Sequence, residues 1–233
     1  MRVVEHPGRD GAPVVLLIHG LQDSLDSFAG LVDELVPEHT VVAYDRRGWG
    51  RSRADDPPTS LADHAQDAVD ALGGRRATVV GHSYGGVVGL MAAATRPDVV
   101  ASLAVFEPTV PFTDWWPDHD EMMRRSLDLK PMMTRWNAGQ PRRTPEQRAA
   151  DEMSMARDFS FVERAPFAFS DVTVPCLVGG SVDTTPWDFQ SAERLSELLG
   201  ADVVMFRDAG HTVHRTHPRE FAAFTRRAVA LGR

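Results

Sequence analysis

Apolar residues along this chain fall into two alternating patterns. Short, valine-rich runs without polar alternation occupy residues 14–18, 41–44, 77–80, 103–106, 174–178 and 203–206, as expected of strands buried on both faces. Between them, residues 27–36, 61–72, 87–95, 189–199 and 219–231 carry apolar side chains at three- and four-residue spacing, several with Ser, Thr, Asp or Pro near the start, the mark of amphipathic helices. Strand alternating with helix predicts an α/β fold, with a mostly parallel central sheet covered by helices on both faces and ligands bound at the carboxyl ends of the strands. Residues 2–5 are expected to add an edge strand.

The alternation breaks after Phe106. From residue 109 to residue 170 the chain passes Pro111, Trp115, Trp116, Pro117, Trp136, Pro141 and Pro145 without a strand-like run. A structureless loop of that length does not fit a compact domain, and residues 121–129 and 146–157 have helical composition. The expected organisation is one core built from residues 1–108 and 171–233, with a small helical insertion over 109–170.

Composition narrows the function classes. A chain of 233 residues with 42% hydrophobic and 25% charged residues can bury one substantial core. Its formal charge of −8 disfavours nucleic acid as a partner, because a binding surface there needs a basic excess. The apolar runs are too short to span a bilayer, and Glu5, His6 and Pro7 interrupt the N-terminus where a secretory signal would be apolar. A cytoplasmic protein acting on a small molecule, without membrane association, is the expectation; oligomeric state is not legible. The single cysteine, Cys176, lies in an apolar run and reads as a small core hydrophobe.

The strongest chemical signal is Gly81-His82-Ser83-Tyr84-Gly85-Gly86, directly after one predicted strand and directly before a predicted helix. G-x-S-x-G in that context is a nucleophile elbow, in which glycines leave room for a cramped turn that exposes the serine at a helix N-terminus. With these residues the chain resembles the α/β-hydrolase family, over nearly its whole length. Four further segments fit in order: His19-Gly20-Leu21, Asp45-Arg46-Arg47-Gly48-Trp49-Gly50-Arg51-Ser52, Gly179-Gly180-Ser181-Val182-Asp183, and Gly210-His211. The resemblance implies an enzyme with a catalytic triad of Ser83, Asp183 and His211, an oxyanion hole from the backbone N–H groups of Leu21 and Tyr84, a helical cap at residues 109–170, and no cofactor. The Asp45–Ser52 turn reads as structural. Family members commonly have two antiparallel strands before the strand that carries the His-Gly turn, whereas 13 residues precede it here, so one edge strand fewer is expected.

Each role has a chemical reason. A serine hydroxyl needs a neutral imidazole to accept its proton, and a carboxylate must hold that imidazole in the right tautomer. Glu107 competes with Asp183, since it too ends a predicted strand and a few family members take their acid there; the order serine, acid, histidine favours Asp183. Glu107 otherwise reads as a pocket residue or cap anchor, alongside His19, Gly20, Trp115, Trp116 and Trp136. The side chains of Leu21 and Tyr84 are expected to be loosely constrained. His82 reads as a packing or hydrogen-bonding residue, and His214 and His217 as capping or surface residues. The spacing of His211, His214 and His217 is one a metal could use, but no carboxylate motif accompanies it, and no metal is expected.

Six of nine methionines and three of five tryptophans fall between Trp115 and Met155, an adaptable apolar surface suited to a substrate with a hydrophobic portion. The leading expectation is a serine hydrolase of carboxylic esters, thioesters or lactones working through an acyl-serine intermediate. Carbon–carbon bond hydrolysis by the same triad and non-catalytic ligand binding are the alternatives. Epoxide hydrolases and haloalkane dehalogenases of this family place aspartate at the elbow, so Ser83 argues against both.

Overall fold

The computed structural model describes residues 1–117, 143–164 and 166–233. In chain order the elements are β1 (Val3–His6), β2 (Val14–Ile18), α1 (Ala29–Leu35), β3 (Thr40–Tyr44), α2 (Leu61–Ala71), β4 (Ala77–His82), α3 (Tyr84–Thr95), β5 (Val100–Phe106), α4 (Pro145–Ser160), β6 (Cys176–Ser181), α5 (Pro186–Leu199), β7 (Asp202–Phe206), α6 (Val213–Thr216) and α7 (Pro218–Leu231). Seven strands form one sheet in the order β1-β3-β2-β4-β5-β6-β7. Pairing is parallel throughout except at the edge, where β1 runs antiparallel to β3. The predicted edge strand at the N-terminus is therefore present.

Alternation of side chains across the pleat builds two cores. Along β2, Leu16 and Ile18 join a cluster with Leu61 and Val69 of α2, Val87 and Leu90 of α3, and Ala192 and Leu195 of α5. Val15 and Leu17 point to the other face, where Leu31 and Leu35 of α1, Val213 of α6 and Phe221, Phe224 and Val229 of α7 pack. Strands buried on both sides need apolar residues at every position, which is why these runs do not alternate in polarity.

Between β5 and β6 the described residues form a helix, α4, and no strand. The predicted helix at 121–129 lies outside the described residues. The one predicted at 146–157 is α4, started by a capping box in which Thr144 and Gln147 satisfy each other's backbone N–H groups. Its mean hydropathy is low, and polar contacts rather than a broad apolar stripe dock it on the core. Asp158, wholly buried near its C-terminal end, accepts from Arg46 Nη1 and from Trp49 Nε1, both at 2.9 Å, and lies 3.2 Å from His64 Nε2. Asp151 pairs with Arg53 and with Arg143, and Ser154 donates to the Gly48 carbonyl at 3.1 Å.

Burial alone would push the Asp158 carboxyl upward, but Arg46, His64 and Trp49 outweigh it and hold its pKa well below the usual carboxylate range. A group depressed in the folded state stabilises fully above its unfolded pKa, near 4, and loses that contribution as pH falls through the folded value. We therefore expect Asp158→Ala, which leaves a buried guanidinium unpaired, to lower unfolding free energy by about 3–5 kcal/mol in urea titrations at pH 7. The gap between wild type and variant should narrow as the pH is lowered below about 4. A loss under about 1 kcal/mol at pH 7 would mean that this network carries little weight.

Candidate active site

Ser83 occupies the sharp turn between β4 and α3. Its backbone takes φ 53° and ψ −125°, a left-handed conformation that a residue with a Cβ adopts only where its surroundings impose it. They do so here through hydrogen bonds: Ser83 N–H donates to the Phe106 carbonyl at 2.9 Å, and the Ser83 carbonyl accepts from Gly86 at 2.8 Å and Thr109 at 3.3 Å. The flanking glycines are required by contact. A Cβ on Gly81 would lie 2.3 Å from the Gly85 carbonyl oxygen, and one on Gly85 would lie 2.1 Å from that of Ile18. Helix α3 thus begins at Tyr84, three residues before the predicted start.

The His-Gly turn after β2 abuts Ser83. A Cβ on Gly20 would come within 2.9 Å of Ser83 Cβ. His19 is wholly buried; its Nε2 accepts from Arg46 N–H at 3.0 Å and its Nδ1 donates to the Gly20 carbonyl at 2.8 Å. Burial, aided by the Arg46 charge, pushes its pKa down to about 4, so at neutral pH it is an uncharged organiser of the turn. Tyr84 corrects one expectation. Its side chain is fully buried, donates its hydroxyl to the Asp158 carbonyl at 2.7 Å and lies beneath the Arg46 guanidinium, 4.6 Å from the ring centroid.

At the acid position the structure departs from the expected pairing. His211 Nδ1 lies 2.5 Å from Glu107 Oε2, while Asp183 is exposed and its Oδ2 accepts from the Asp208 backbone N–H at 3.0 Å. Asp183 braces the turn that leads to His211 and does not supply the carboxylate at its imidazole. Glu107 immediately follows β5, has φ 43° and is wholly buried. Its second oxygen accepts from Ser181 N–H at 2.8 Å, so both carboxylate oxygens are engaged. Burial opposes charge on His211, yet the Glu107 hydrogen bond and negative charge outweigh it and raise the imidazole above its ordinary pKa.

Neighbouring residues fix the histidine further. His82 donates from Nε2 to the His211 carbonyl at 2.7 Å, the hydrogen-bonding role expected of it. His214 was expected at a cap or the surface; instead it is wholly buried, stacked obliquely on His82 with ring centroids 4.2 Å apart, and its Nε2 is 3.4 Å from Asp23 Oδ2. Phe28 and Phe221 enclose it, so the apolar face of α7 leaves no route for it to solvent. His217 bonds Thr216 Oγ1 at 2.9 Å, so the three spaced histidines face different partners. Thr109, which carried no signal in the sequence, places Oγ1 3.4 Å from Ser83 Oγ. Trp115 donates from Nε1 to Ser191 Oγ of α5 at 3.0 Å, and Trp116 packs with it on the core; Trp136 lies outside the described residues.

Comparison with known proteins agrees with the fold. A family model described as "Alpha/beta hydrolase family" matches residues 15–224. A putative carbamate hydrolase RutD from Caulobacter vibrioides is 40% identical over 124 residues, 52% of this chain and 44% of that protein, so the match spans less than half the relative's length. The Enterobacter cloacae protein of the same name is 26% identical over 250 residues, covering 94% of this chain and 91% of its own. Among solved structures, the enol-lactonase from Burkholderia xenovorans superposes with a TM-score of 0.68 at 22% identity over 99% of this chain and 95% of its own. Naproxen esterase from Bacillus subtilis gives 0.71 at 20% over 97% and 86%. These two likenesses concern the fold.

The acid position yields a direct test. In Glu107→Gln the largest of the groups that favour charge on His211 is removed, and the His211 pKa should fall below its wild-type value. In Asp183→Asn it should stay where it is in the wild type. Imidazole NMR titration, with the His211 resonance assigned by its loss in His211→Ala, distinguishes these; the opposite pattern would return the acid to Asp183.

Proposed function

The chain belongs to the alpha/beta hydrolase family, and from that premise we propose a serine hydrolase that cleaves a carboxylic ester, thioester or lactone through an acyl-serine intermediate. Ser83 is the nucleophile, His211 the general base and Glu107 the acid. The observation that carries this reading is the 2.5 Å bond between His211 Nδ1 and Glu107 Oε2, made at the loop that β7 brings to the same sheet edge as the elbow. With Nδ1 committed to the carboxylate, Nε2 is the nitrogen that takes the serine proton as Oγ attacks the substrate carbonyl. The tetrahedral oxyanion is held by the backbone N–H groups of Leu21 and Tyr84, the second at the positive end of α3. His211 then returns the proton to the leaving group, and water, deprotonated by the same imidazole, releases the acid.

Residues 109–170 act as a cap in this reading. Helix α4 is fastened through Asp158 to Arg46 and Trp49, at the carboxyl end of the sheet where the elbow lies. Trp115 and Trp116, both half-buried, supply an apolar surface for a hydrophobic acyl or alcohol group. A carbamate shares the acyl carbon attacked here, and the names of the relatives put it on the substrate panel.

Intact mass after exposure to a small fluorophosphonate tests the proposal. We expect one adduct per chain, mapped to Ser83 by digestion and absent from Ser83→Ala. The labelling rate should fall about 10²- to 10⁴-fold in His211→Ala and Glu107→Ala but only a few-fold in Asp183→Ala. A folded wild type that takes no adduct would overturn the nucleophile and move the protein toward ligand binding without turnover.

A further inference from the structure

A second buried acid adjoins the Glu107–His211 pair. Asp188 is the third residue of α5 and only 7% exposed. One oxygen of its carboxyl group, one of Glu107 and one nitrogen of His211 all lie within 4.8 Å of one another. Its position is fixed: Oδ2 accepts from Thr185 Oγ1 at 2.6 Å and from Thr184 Oγ1 at 3.4 Å, while Asp188 N–H donates to Thr185 Oγ1 at 3.1 Å.

We propose that Asp188 is a positioning residue of this pair, whose buried carboxyl group, held by Thr185 beside both Glu107 and His211, sets the pH range over which His211 serves as a base. The proposal rests on the reading of His211 as the base of the reaction. Helix capping by itself does not account for the site. Asparagine could accept the same hydroxyl bonds without charge, and an aspartate in a helix's first turn gains most when ionised. Here the group is turned inward against another carboxylate, where two acids a few ångströms apart resist ionising together.

Among the described residues, the charged groups facing Asp188 are Glu107 from the end of β5 and His211 from the loop after β7, and the Thr184 and Thr185 hydroxyls bond it from the turn before α5. Burial, reinforced by the Glu107 charge, pushes its pKa up to about 7, against the opposing effect of His211 and the hydroxyls. Its negative charge therefore develops across neutrality, and each increment of it favours the imidazolium form of His211, as does Asp23. The titrations belong to the cluster rather than to one residue.

Asp188→Asn keeps the acceptor for Thr185 and removes the titrating charge. The sign follows: with less negative charge nearby, His211 loses its proton at lower pH and the neutral base persists further into acid. We expect the acid limb of the fluorophosphonate labelling profile, and the His211 imidazole titration followed by NMR, to move down by about one pH unit relative to wild type. Thermal midpoint checks folding, and Asp188→Ser, which also removes the charge, takes over if the asparagine variant is unstable. A His211 titration unchanged in the variant would overturn the proposal and leave Asp188 a helix cap. Absence of labelling in the wild type at every pH would instead overturn the acyl-serine reading, while the NMR titration still decides whether Asp188 tunes His211.

Discussion

A guanidinium without access to water is tolerated only where its donors and its face both find partners, and the neighbourhood of Ser83 is organised by that requirement at Arg46. The side chain is wholly buried. Its Nε and Nη2 donate to the carbonyls of His19 and Gly20 at 3.1 and 3.2 Å, its Nη1 to Asp158 at 2.9 Å, and its plane covers the ring of Tyr84. Those partners come from the turn after β2, the end of α4 and the first residue of α3. Satisfying one charge thus fixes the carbonyls of the turn that touches Ser83, the helix that begins at Tyr84, and the C-terminal end of α4. The adjacent Asp45 does the same for the turns themselves, accepting from Leu25 and Arg51 backbone N–H groups at 2.8 and 2.9 Å.

The strained serine is held by the sheet in turn. A left-handed non-glycine residue costs of order 1–3 kcal/mol, and the hydrogen bonds that enforce it come from β5 and the two residues after Glu107. The carbonyl of Phe106 takes the Ser83 N–H, and Thr109 returns a bond to the Ser83 carbonyl. Glu107 lies between these contacts. The backbone that fixes the conformation of Ser83 therefore also carries the carboxylate at His211, so the two cannot shift independently.

Much of this was legible in the chain. The parallel sheet follows from runs such as Val14-Val15-Leu16-Leu17-Ile18, whose neighbours must be apolar on both faces, and the elbow follows from glycines at 81 and 85 between a strand and a helix. What escaped was decided by packing. His214 looked like a surface residue because it follows a loop, yet the aromatic face of α7 encloses it. Tyr84 looked free because its backbone carries the chemical argument, but its hydroxyl is drawn to α4, more than seventy residues away. Thr109 and Asp188 bear no motif; only the converging ends of β4, β5 and β6 place them at the site.

The acid shows why chain order is a weak guide at this sheet edge. β5 and β6 are adjacent and parallel, with Phe106 opposite Gly179, so the strands run about 4.8 Å apart there and a carboxylate leaving either could approach the same imidazole. Backbone direction decides between them. Glu107 turns at the strand end, with φ 43° and its N–H bonded to the Gly179 carbonyl at 3.0 Å, and a glutamate chain spans the remaining gap. Asp183 comes two residues after β6 ends, after the chain has turned outward, and its carboxylate is spent on Asp208. What β6 contributes to the pair is a main-chain donor: Ser181 N–H on the far oxygen of Glu107. The strand that keeps the acid's place in the chain order thus orients an acid supplied by its neighbour, and it does so with a group that no side-chain motif records.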